Sequence, residues 1–128
     1  MSRIIIHSNK APAAIGTYSQ AVRLDNIVYL SGQIPLIAES MQLVSEDFTR
    51  QLHQVFINLS AVAKAAGGTM NDIAKLNIYL ISLDNFPVVN EVMSGYFDAP
   101  YPARAVIGVS ALPRGALVEI DAILHLQQ

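Results

Sequence analysis

The chain reads as a β-rich α+β domain. Apolar residues alternate with period two along most of its length, only two segments switch to a helical period, and no linker, internal repeat or charge block divides the 128 residues. A single domain spanning 1–128 is expected, and 52% apolar residues supply its core.

The strands are predicted first at 3–7, where β-branched residues cluster, and then at 19–23 and 27–34 around the turn Leu24-Asp25-Asn26. Residues 35–44 read as loop. Ser45 is the expected N-cap of a first helix in which Phe48, Leu52, Val55, Phe56, Leu59, Val62, Ala63 and Ala66 recur at helical spacing until Gly67-Gly68 stops it. Residues 72–81 return to strand. Asp84 then caps a second helix with Pro87 in its first turn and Phe86, Val89, Met93, Tyr96 and Phe97 as its buried stripe. Strands at 103–110 and 116–126 close the pattern.

Alternation assigns faces to the last two strands. Val118, Ile120, Ala122, Leu124 and Leu126 are expected toward the helices, with Leu117, Glu119, Asp121, Ile123 and His125 opposite. Packing Ala103, Ala105, Ile107 and Val109 beneath the helices would put Arg104 and Val106 on the bare face with Glu119. A hairpin centred near Arg114 would set Glu119 opposite position 109, roughly ten to fifteen ångströms along from Arg104 at roughly 3.3 Å per residue. Two helices cover one face of such a sheet, so the other calls for a partner subunit. Charged residues make up only 14% of the chain, against roughly a quarter in an average soluble domain, which points the same way.

Composition also excludes chemistry. The net charge is −2 and basic residues are scattered, so nothing favours nucleic acid. Without cysteine there is no disulfide, thiolate nucleophile or cysteine metal site, and His7, His53 and His125 show no ligand spacing. No phosphate-binding glycine loop or dinucleotide fingerprint occurs, so no cofactor is expected. The apolar part of the amino terminus is too short for a signal peptide, and no apolar run reaches the roughly 18 residues of a membrane helix, so a soluble, cytoplasmic protein with no membrane partner is expected.

Arg104 stands in an apolar strand, where a guanidinium is costly unless it meets an anion. That anion is either a substrate carboxylate or an internal partner, Glu119 or Asp121, and local pattern leaves both open. Glu119 is a candidate to orient or deprotonate water. Gly16-Thr17-Tyr18 and Ser31-Gly32-Gln33 place a phenol and a hydroxyl at loop and strand ends, and Asn90 puts an amide among the valines of the second helix.

Taken in order, Ala14 to Ala21, Ser31 to Pro35, Gln51 to Gly67, Phe86 to Asn90, Pro102-Ala103-Arg104 and Leu112 to Ile120 resemble the Rid family of imine deaminases, often labelled endoribonuclease L-PSP. The resemblance covers nearly the whole chain. It implies a chorismate-mutase-like fold, a mixed six-stranded sheet with two helices on one face, assembled as a homotrimer around a central barrel with sites between subunits. It further implies hydrolysis of 2-imino acids such as 2-iminopropanoate and 2-iminobutanoate to 2-keto acids and ammonia, without metal or cofactor. The family's carboxylate-binding arginine falls on Arg104, its water-orienting glutamate on Glu119, and its site tyrosine, serine and asparagine on Tyr18, Ser31 and Asn90. Glu119 and Tyr18 then act in catalysis, while Arg104, Ser31, Asn90 and the Val106 backbone bind substrate. Two positions depart from the common pattern: Val106 stands where many relatives carry cysteine, and Thr17 where many carry proline. Val106 excludes a sulfur-dependent step. A ligand-binding trimer without turnover, or a ribonuclease and translation inhibitor, are the competing functions.

Overall fold

A computed structural model describes residues 2–127. The strands are β1 (Ile4–Ile6), β2 (Ala21–Leu24), β3 (Ile27–Gln33), β4 (Ile73–Leu80), β5 (Ala103–Gly108) and β6 (Val118–His125), and the helices are α1 (Phe48–Ala65) and α2 (Phe86–Met93). They form one six-stranded sheet in the order β1-β2-β3-β6-β4-β5. Every pairing is antiparallel except β4 with β5. Parallel neighbours cannot be joined by a tight turn, and α2 makes the crossover between them.

The α1 stripe lies where its spacing puts it. Leu52, Val55, Phe56, Leu59, Val62 and Ala63 are fully buried against the sheet, and Phe48 is partly buried at the end of the row. Its start differs from expectation. Asp47 is the N-cap, accepting from the Arg50 N–H at 3.0 Å, while Ser45, two residues earlier, accepts from the Asp47 N–H through its hydroxyl. Either side chain suits an N-cap, so the choice falls to the backbone geometry. The glycine stop is as read: Gly67 adopts φ 93°, its N–H donates to the Lys64 carbonyl and that of Gly68 to Ala63, the paired bonds of a Schellman end. Asp84 does not cap α2. It lies in a 3-10 turn, Leu83–Asn85, whose cap is Ser82.

The expected β5–β6 hairpin does not form, because β4 is inserted between the two strands. This reverses the faces assigned to β5. Arg104 pairs with Leu76, Val106 with Ile78 and Gly108 with Leu80, and residues opposite one another share a face. Leu76, Ile78 and Leu80 are fully buried on the helix side together with Val118, Ile120 and Leu124 of β6. Arg104 and Val106 therefore lie on the helix side, and Ile107, 47% exposed, on the bare one. Both sets of β5 side chains are largely apolar, so alternation alone does not choose between them. The bare face keeps Glu119, Asp121 and Ile123, joined by Tyr29, Asn77, Tyr79 and Ile107.

Buried carboxamides tie the loops to this core. Gln51 accepts from the Leu117 N–H at 2.8 Å and donates to the Ser45 carbonyl at 2.9 Å, Asn58 donates to the Leu36 carbonyl, and Gln20 donates to Pro12 and accepts from the Ser8 N–H. No helix among the described residues is long and apolar enough to cross a membrane. Gln51→Leu keeps the volume but leaves the partly buried Leu117 N–H without its partner, so it is expected to cost about 1–2 kcal/mol in urea unfolding. Ile57→Ala on the exposed side of α1 is expected to cost less than about 0.5 kcal/mol.

Candidate functional site

The sequence-derived site residues divide into two clusters. Arg104 and Asn90 line a cavity of about 410 Å³ between the end of α2 and the segment leading into β5, with Met93, Ser94, Tyr101 and Pro102. Tyr18, Ser31 and Glu119 line a second, of about 460 Å³, with Ile15, Gly32, Ile34 and Pro113.

In the first cluster Arg104 projects from an edge strand onto α2. One guanidinium nitrogen lies 3.3 Å from the Met93 sulfur, and the guanidinium carbon sits 5.1 Å from the centre of the Phe86 ring. A thioether and an aromatic face hold the group in place without cancelling its charge. Phe86 is therefore not part of the buried stripe. It is 38% exposed and serves as a platform beneath the cation. Asn90, one turn further along α2, is exposed at the cavity. Met93 and Tyr101 were not among the residues singled out for chemistry from sequence. The signal for the α2 members was their spacing, since Phe86, Asn90 and Met93 share a helix face.

The second cluster is built on the bare side. Tyr18 is 52% exposed, and its hydroxyl accepts from the Ile15 N–H at 3.3 Å across the bend at Gly16, where φ is 125°. The Ser31 hydroxyl donates to the Ser19 carbonyl at 2.6 Å, and the Ser31 N–H donates to Gln20, so the serine fastens the Tyr18 segment to β3. Glu119 is partly buried. Desolvation, and then the nearby negative charge of Asp121, pushes its carboxyl above the ordinary range. Asp121 is itself held by the Asn77 amide at 2.8 Å and the Tyr79 hydroxyl at 2.9 Å. The hydrogen bond to Asp121, with burial, raises the Tyr79 phenol in turn. A pocket of about 230 Å³ adjoins the cluster and includes Arg114, whose guanidinium donates to the Met41 carbonyl.

Within one chain the two clusters do not meet. Arg104 lies opposite Leu76 and Glu119 opposite Tyr79, on either side of β4, which separates their backbones by roughly 14 Å at standard sheet spacings. They also project to opposite faces. An internal Arg104–Glu119 or Arg104–Asp121 ion pair is thereby excluded, and so is a single small ligand held by both ends of one protomer. Val106 packs its side chain partly buried against the core, and its backbone runs along the sheet edge. Among the described residues no group of three or more His, Asp or Glu side chains is arranged to hold a metal.

The endoribonuclease L-PSP family model matches residues 8–126. The chain belongs to this family, also called Rid. The 2-iminobutanoate/2-iminopropanoate deaminase of Mus musculus is 46% identical over 94% of this chain and 90% of its own. A protein of the same name from Dermatophagoides farinae is 42% identical over 96% of each chain. Among solved structures, RidA from an Antarctic Psychrobacter is 50% identical and superposes with a TM-score of 0.93, covering 96% of this chain and 99% of the other. The α+β architecture is thus that of the Rid structures.

The Glu119 environment has a signed consequence for stability. A carboxyl whose folded value is raised favours the folded state below its ordinary value near pH 4, and that contribution is lost as pH rises through the folded value. Glu119→Gln is expected to match the wild type in denaturant at about pH 3.5 and to be the more stable of the two at about pH 7.5. Curves that stay parallel across that range would contradict the assignment.

Proposed function

We propose that this Rid-family chain is a hydrolytic imine deaminase that converts small 2-imino acids, 2-iminopropanoate and 2-iminobutanoate among them, to 2-keto acids and ammonia. The observation that carries the reading is the division of the site. A guanidinium held by a thioether and an aromatic ring, out of reach of Glu119 and Asp121, faces one cavity, and a carboxyl raised above its ordinary range by burial faces the other. These are the two groups an imino acid needs, an anchor for its carboxylate and a carrier for a proton. The deaminase names of the mouse and mite relatives support the same activity.

The halves join when the Arg104 edge of one protomer meets the Glu119 side of the next, in a homotrimer whose bare sheet faces turn inward. Tyr29 and Ile107 on that face are 47% exposed in the single chain, the apolar surface such a barrel would cover. Arg104 grips the substrate carboxylate through two parallel N–H donors, steadied by Phe86 beneath, and Asn90 hydrogen-bonds the substrate alongside. The protonated imine carbon is already electrophilic. Glu119 accepts a proton from water as the oxygen bonds to that carbon, giving a tetrahedral carbinolamine. The same carboxyl returns the proton to nitrogen, the C–N bond breaks with its electron pair going to nitrogen, the departing ammonia takes up the remaining hydroxyl proton as the C=O forms, and keto acid and ammonium leave. The Tyr18 hydroxyl orients the water or the departing nitrogen, while Ser31 and the Val106 backbone complete the polar lining. No thiol takes part, since position 106 is valine. With a net charge of −2 and scattered basic residues there is no phosphate-tracking stripe to favour the RNA cleavage in the family label.

Imine made in place by a pyridoxal-dependent dehydratase and trapped with semicarbazide gives a direct assay. Arg104→Ala is expected to lose about 100-fold or more in kcat/KM, and Arg104→Lys to recover only part of it because an ammonium lacks the planar fork. Imine decay no faster than in buffer for the wild type, or undiminished in Arg104→Ala, would refute the proposal.

A further inference from the structure

Gly32 lacks the usual reason to be glycine. Gly16 and Gly115 adopt φ of 125° and 71°, where a side chain is strained, but Gly32 is not among the positive-φ positions and its backbone suits any residue. What excludes a side chain is the occupant of the space. A Cβ built at position 32 would overlap Oε2 of Glu119 and stand 3.0 Å from its Cδ and 3.3 Å from its Cγ. We infer that Gly32 is a positioning residue for the deamination, its missing side chain forming the seat that holds the Glu119 carboxyl over the β3 backbone.

The sheet register explains how the seat arises. Leu30 pairs with Ala122 and Gln33 with Ile120, so Ser31 and Gly32 together face a single residue of β6, Asp121. Such a bulge breaks the two-residue alternation: Leu30 and Gln33 are both buried although three apart. The extra residue brings the Gly32 Cα against Glu119, and its neighbour Ser31 is fixed by the bonds to Ser19 and Gln20. One irregularity thus sets the carboxyl and the Tyr18 segment relative to each other. The atoms a methyl would meet belong to the mobile end of a side chain, so alanine displaces the carboxyl and leaves the strand in place.

The inference rests on Glu119 carrying the proton, and the test separates the two. Gly32→Ala is expected to fold as the wild type by circular dichroism, to lose about 100-fold in kcat as a misplaced group does, and to keep the 2-ketobutyrate dissociation constant within twofold, since Arg104 is untouched. Glu119→Asp withdraws the carboxyl from the seat, so adding Gly32→Ala to it is expected to change its rate by less than twofold. A Gly32→Ala enzyme with wild-type kcat, or losses that multiply in the pair, overturns the seat while leaving Glu119 in its role. Full activity in Glu119→Ala overturns both. Should Gly32→Ala alone fail to fold, the pair is expected to fold like Glu119→Asp, and a pair that still unfolds counts against the seat.

Discussion

The position of β4, antiparallel to β6 on one side and parallel to β5 on the other, is the constraint on which the rest of the molecule depends. Leu76, Ile78 and Leu80 are wholly buried under the helices, and burying them fixes the face of every residue paired with them. Slipping either neighbour by one residue would turn its apolar set out to water. The hydrophobic core therefore sends Arg104 to the helix side and Glu119 to the bare side. The proposed chemistry inherits that choice: the chain carries the guanidinium and the carboxyl proposed as anchor and proton carrier on faces that point away from each other.

The loops around the Glu119 cluster are irregular backbone, and buried amides tie them to the core alongside the buried Ala11, Pro12, Pro35 and Leu36. Gln20, Gln51 and Asn58 each satisfy main-chain groups of a neighbouring segment, at residues 8–12, at 45 and 117, and at 34–36. A carboxamide donates and accepts at once, so a single side chain serves both polarities of an irregular backbone. It also avoids the desolvation cost that a charge would carry there. Loop placement is thus set in part by these carboxamides.

Much of this was legible from the residues. The α1 stripe, its Gly67-Gly68 end and the outward set of β6 follow from period and composition. The order of strands in the sheet does not. Pro113-Arg114-Gly115 has the look of a hairpin turn, and nothing local reveals that β4 lies between the strands it joins. Both sets of β5 residues are largely apolar, so alternation alone puts Arg104 on the bare face as readily as on the helix side, and only the register against β4 decides for the latter. An aromatic residue on a helix usually reads as core, whereas the partner of Phe86 is a cation eighteen residues away. The Ser31-Gly32 bulge left no mark beyond a glycine, a residue with many commoner explanations.

With the two clusters on opposite faces, the Arg104 guanidinium is out of reach of Glu119 and Asp121, and burial raises the Glu119 carboxyl where that guanidinium does not reach it. The account stands or falls on the halves coming from different protomers. Mixing Arg104→Ala with Glu119→Ala subunits, unfolding them together and letting them reassemble at random, measures this directly. Imine hydrolysis should return to about a quarter of the wild-type rate, the share of clefts that pair an intact arginine with an intact glutamate. A mixture no more active than the two variants apart, although mixed oligomers have formed, would contradict it.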